Sequence, residues 1–132
     1  MPKVTILRFL RLLSLWLFWP GVALIIWGEL APSPPHLEGL FSWDKLDHFV
    51  AYFGLAAMAS MITGLKPRLI AILLGIAAFG GLLELVQLVT GRDAEFLDFI
   101  ANSLGVACGF FAALLIHFLL QEPALVARRA AR

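Results

Sequence analysis

Charge is scarce in this sequence. Lys, Arg, Asp and Glu make up 14% of its 132 residues, against roughly 25% in an ordinary soluble domain. That is too little to clothe a water-facing surface. The basic residues fall in three short segments with no interleaved aromatics, which argues against a nucleic-acid-binding face, and no nucleic-acid partner is expected. Cysteine occurs once, at Cys108 inside an apolar run, which excludes an intrachain disulfide and a thiolate metal centre. Histidine is limited to His36, His48 and His117. There is no His-x-x-x-His, no Glu-x-x-His and no serine elbow, so spacing alone specifies no named catalytic mechanism. The net charge of +1 says little, because the arrangement of the charges matters more than their sum.

What the chain has in abundance is apolar length. It is 61% hydrophobic with a mean hydropathy of +0.93, and its apolar runs reach about 20 residues, the length that spans a bilayer. We expect one all-α domain of four transmembrane helices, at about 10–28, 43–63, 69–90 and 96–120. Pro20-Gly21 falls within the first run, where a membrane helix tolerates it as a kink. Pro32, Pro34 and Pro35 enforce a loop after it. Residues 64–68 read as a tight turn and residues 91–95 as a short polar connection. Lys3, Arg8 and Arg11 resemble the basic start of a signal peptide, but no small-x-small cleavage pattern follows, so the first helix is expected to be retained.

Eight of the ten basic residues would lie on one side of such a bundle: Lys3, Arg8, Arg11, Lys66, Arg68, Arg128, Arg129 and Arg132. The positive-inside rule makes that side cytoplasmic. Both termini are therefore expected in the cytoplasm of a multi-pass protein, in a bacterium the inner membrane. Lys45 and Arg92 fall on the outer side with most of the acids.

The polar residues at that outer side form two knots, Asp44-Lys45-Leu46-Asp47-His48 and a set from Glu84 and Gln87 through Arg92 to Asp98 and Asn102. An ionisable group within a bilayer costs ~2.5 kcal/mol or more, so it faces a partner or a cavity. Asp44 and His48 share a helix face at i, i+4, with Tyr52 one turn on. Glu84 lies ~9 Å below the outer end of its helix at ~1.5 Å per residue. Gln87 shares its face, and Asp98 and Asn102 share another. Three helices thus bring polar groups to one depth. His48 and Glu84 are the candidate acid-base residues. Asp44, Lys45, Gln87, Arg92, Asp98 and Asn102 are candidate ligand-binding residues, with Lys45 and Arg92 suited to a phosphate or carboxylate. Asp44, His48, Glu84 and Asp98 offer donors for a divalent cation.

Plainer roles compete with these. Asp98 and Asp44 are both able to cap their helices, and Lys45 to snorkel to the interface. Asn102 suits a helix-helix hydrogen bond, and Gly105 and Gly109 form a GxxxG packing pattern. Glu84 is a candidate for a pair with Arg92 or Lys45.

These residues resemble the VanZ-like family of small integral membrane proteins. The likeness runs through Asp44-Lys45-Leu46-Asp47-His48-Phe49 and Tyr52-Phe53, then Glu84-Leu85-Val86-Gln87, then Arg92, Asp98, Asn102, Gly105 and Gly109, about half of the chain. A Pro that such proteins often carry before the Arg is replaced by Thr90-Gly91. The resemblance implies a four-helix membrane protein and a context, since the namesake is associated with resistance to the glycopeptide teicoplanin. It implies no reaction.

Three functional readings follow. The first is an outward-facing pocket that binds or modifies an anionic lipid or lipid-linked envelope precursor. The second is a non-catalytic assembly module whose polar residues form a structural network, with a membrane-protein partner or a homo-oligomer. The third is a small transporter or proton relay, for which the cytoplasmic half lacks matching ionisable residues.

Overall fold

The computed structural model describes residues 3–31, 44–90 and 95–130, with Asp44 and residues 121–130 described by backbone alone. Four helices account for them: α1 (Lys3–Leu30), α2 (Asp44–Thr63), α3 (Arg68–Thr90) and α4 (Phe96–Ala130). There is no strand among the described residues. Each helix contains a stretch long and apolar enough to cross a membrane.

Two of these helices outrun the sequence-based expectation. α1 begins at Lys3, not near Leu10, and α4 continues to Ala130, beyond Leu120. The apolar run marks the part suited to lipid, whereas backbone hydrogen bonding continues through any good helix former. Leu and Arg occur in both extensions, with Lys in the first and Ala in the second. Pro123 sits within the α4 extension without ending it. Having no N–H, Pro123 leaves the Leu119 carbonyl without its usual donor. Lys3 Nζ donates to that carbonyl at 3.1 Å. Pro20 likewise lies inside an unbroken α1.

The core pair is α2 and α4, which pack more extensively than any other two helices. Gly105 and Gly109 make this contact, since a Cβ on either would run into the backbone of Phe49 or Phe53 across the interface. Two backbones touch only where side chains are absent. Tyr52, Leu55 and Ala56 of α2 and Val106 of α4 are buried in this seam, with Ile76 and Leu83 of α3 closing over the same core. The short link from α2 to α3 turns at Gly64, whose φ of 68° is the left-handed conformation that suits glycine. α1 is peripheral, burying only Ser14, Ile25 and Glu29. Its Trp16 and Trp19 face outward, as befits lipid-facing aromatics.

The ion pair of Lys45 with α4 and the hydrogen bond from Gln87 to α1 place one end of the bundle. There the C-terminal ends of α1 and α3 meet the N-terminal ends of α2 and α4. The Lys3–Leu119 contact marks the opposite end, where the start of α1 lies beside the C-terminal part of α4.

Candidate functional site

The polar side chains gather at the first of these ends. Lys45, in the first turn of α2, reaches across to α4. Its Nζ donates to Glu95 Oε2 at 2.6 Å and lies 2.7 Å from Asp98 Oδ1. The two acids differ in setting, with the Asp98 side chain 3% exposed and that of Glu95 52%. The Asp98 pair is therefore the one shielded from solvent. Asp98 is not the cap of α4: it is the third helical residue, its own N–H donating to the Glu95 carbonyl at 2.9 Å. In that first turn a carboxylate is also favoured by the helix dipole.

One turn deeper, His48 Nδ1 lies 3.2 Å from Asn102 Oδ1 on α4 and 3.6 Å from Glu29 Oε1 on α1. Asn102 is fully buried and its Nδ2 has no hydrogen-bond partner among the described residues. Gly80 on α3 makes room for Asn102 and Tyr52, both of which a Cβ there would crowd at about 3.0 Å. The Tyr52 hydroxyl faces the Glu29 carboxylate.

Gln87 has a backbone task. Its Nε2 donates to the Glu29 carbonyl at 2.8 Å, one of the carbonyls that the end of α1 leaves without a helical donor. This fixes the last turn of α1 against α3 and with it the position of the Glu29 side chain. Glu84, one turn before Gln87 on α3, is buried beside that side chain. Glu29, His48 and Glu84 each offer a donor atom, and the three atoms all lie within 4.8 Å of one another.

The structure thus brings His48 and Glu84 together, as the sequence suggests, and adds Glu29. Asp98 and Lys45 stand apart from this trio as an ion pair. Asp98, expected among the cation donors, is not in the converging set because Lys45 engages it. Arg92 lies outside the described residues, as does His36, and the Asp44 side chain is not described. His117 is buried near the other end of α4, remote from the site.

Glu29 is the residue that the sequence reading missed. It stands just past the expected end of the first apolar run and looks like loop. The available signal was its sign: a carboxylate in the last turn of a helix runs against the macrodipole and calls for a reason.

Between α3 and α4 a cleft of about 540 Å³ opens beside this site. Ala78, Gly81, Leu85 and Phe99 contribute apolar walls, and Glu84 and Glu95 also line it. Its size falls within the range of small-molecule pockets, and its composition suits hydrocarbon more than a sugar or nucleotide.

Comparison with known proteins returns no matching family model, no matching curated protein and no matching solved structure.

Proposed function

We propose that this chain is a VanZ-like protein of the bacterial inner membrane that binds or modifies an anionic lipid or lipid-linked envelope precursor. In this reading both termini are cytoplasmic and the polar end of the bundle faces the outer leaflet. The observation that carries it is the α3–α4 cleft, apolar along its walls and bordered by Glu84 and Glu95, with the Lys45 ammonium 2.6 Å from Glu95. A lipid is the ligand that needs both halves: hydrocarbon for the walls and an anionic head group for the ammonium. Glu95, being half exposed, is the acid that a head group displaces from Lys45, while Asp98 stays in place. Arg92 would supply the second cationic contact, and His48 and Glu84 are the groups suited to proton transfer. The context supplied by the resemblance is glycopeptide resistance, an envelope phenotype.

The test is native mass spectrometry of the gently extracted full chain beside an Ala78→Phe variant, which fills the cleft without touching the polar cluster. The expected result is a defined lipid retained by the wild type and reduced at least tenfold in the variant. Equal retention by both, or by neither, rejects the reading.

A second reading has its own support. Lys45–Asp98 joins α2 to α4, His48–Asn102 repeats that join, and Gln87 joins α3 to α1. These contacts fit an assembly module whose polar residues serve structure. It predicts a co-purifying membrane protein or a stable homo-oligomer in place of a bound lipid.

A further inference from the structure

We infer that Glu29, His48 and Glu84 form a binding site for one divalent transition cation of the zinc or manganese class. The inference does not depend on the lipid reading, since it concerns the trio of donors and not the cleft.

Three helices deliver the donors: the last turn of α1, the second turn of α2 and the C-terminal part of α3. In a tetrahedral zinc shell, bond lengths of about 2.1 Å place neighbouring ligand atoms about 3.4 Å apart. The separation of His48 Nδ1 from Glu29 Oε1 is already 3.6 Å, and the whole set lies within 4.8 Å.

The electrostatics point the same way. Glu29 and Glu84 are both buried in a bundle built for lipid. Two carboxylates side by side repel each other and are costly to keep away from water. A divalent cation cancels both charges at once. It also answers the position of Glu29 at a helix C-terminus, where the macrodipole disfavours an anion but favours a cation.

The surroundings are those of a supported metal centre, in which outer partners orient the ligands. The Tyr52 hydroxyl faces Glu29 and Gln87 holds the Glu29 backbone, while a cation on His48 Nδ1 takes the place of that nitrogen's 3.2 Å contact with Asn102 Oδ1. The independent sign of a ligand is the Asn102 amide nitrogen. It is fully buried at the edge of the cluster, and no acceptor for it exists among the described residues. Such a donor suits an oxygen carried by a bound cation, whether water or an oxyanion.

The donor set also states a preference. One imidazole with two carboxylates suits zinc and manganese, whereas magnesium favours an all-oxygen octahedron and keeps its waters. Three protein ligands are the number found in open zinc centres, which leave a position for a further ligand.

The test uses the untagged full chain in detergent, stripped with EDTA and titrated with Co²⁺, Zn²⁺ and Mn²⁺. The wild type should bind one equivalent per chain, with Co²⁺ developing ligand-field absorption that Zn²⁺ abolishes and excess Mg²⁺ does not. Glu29→Gln, His48→Ala and Glu84→Gln should each weaken binding at least tenfold. Asp47→Asn, a neutralisation beside His48 but outside the trio, should bind as the wild type does. Ala78→Phe should also bind normally, which separates this site from the lipid cleft. Absence of saturable binding by the wild type overturns the proposal, whatever the variants do. Undiminished binding by the three trio variants overturns it equally. Circular dichroism identifies any variant that has lost its helices, in which case the wild-type cobalt spectrum decides.

Discussion

Lys45 is the side chain on which the α2–α4 junction turns, because its ammonium lies 2.7 Å from the nearly inaccessible Asp98 carboxylate. Removing one member of a shielded pair strands the other, which costs more than the pair contributes in net stability. Lys45→Met should therefore destabilise the bundle by ~2 kcal/mol, below the value for a fully buried pair because Lys45 is partly exposed. Adding Asp98→Asn should restore much of that loss. Reversible unfolding in mixed micelles measures both, and an unchanged midpoint for Lys45→Met alone would remove Lys45 from any structural role. The sequence places Lys45, His48, Glu84, Asp98 and Asn102 at one depth, since helical rise converts numbering into height. It does not say which of them face each other, because each helix is free to rotate about its own axis until packing decides. Glu95 illustrates the gap: it reads as part of a connection, and it is an acceptor for Lys45.

At the scale of elements, the α2–α4 seam is the most constrained surface in the molecule. Gly109 lies against the Phe53 carbonyl and Gly105 against that of Phe49, so neither has room for a side chain. Gly109→Leu should force the helices apart and cost ~2–3 kcal/mol, in the range of overpacked cores. Gly75→Ala, where nothing lies within 4 Å of a new Cβ, should be neutral or gain a few tenths of a kcal/mol from helix propensity. Thermal unfolding of the two variants in parallel checks this, and equal midpoints would mean that the seam does not depend on backbone contact. The GxxxG pattern made this interface visible beforehand, as the apolar runs made the four helices visible. The ends of α1 and α4 were less legible, because hydropathy reports what lipid accepts and not where hydrogen bonding stops. The Lys3–Leu119 contact depends on that difference: both partners lie at or beyond the ends of the apolar runs, and Pro123 frees the carbonyl that Lys3 takes.

For the molecule as a whole, four spans place Lys3 and Ala130 at the same end, away from the polar cluster. The excess of Lys and Arg at that end predicts that it is cytoplasmic. Reporter fusions at the two termini should both register cytoplasmic, and a cysteine introduced at Asp47 into a Cys108→Ser background should be labelled from outside by an impermeant reagent. Termini on opposite sides would contradict the four-span bundle, and both termini outside would contradict the orientation. The order of packing carries a consequence for biogenesis. α2 finds its main partner not in the next helix to leave the ribosome but in α4, two helices later. Until residues 96–120 have been made, the Phe49 and Phe53 face has no glycines to meet it, and Lys45 and His48 lack Asp98 and Asn102. α2, the least apolar of the four spans, therefore enters the membrane before the helix that completes it exists. The nascent chain must hold three helices in reserve, and this bundle closes only once α4 has been made.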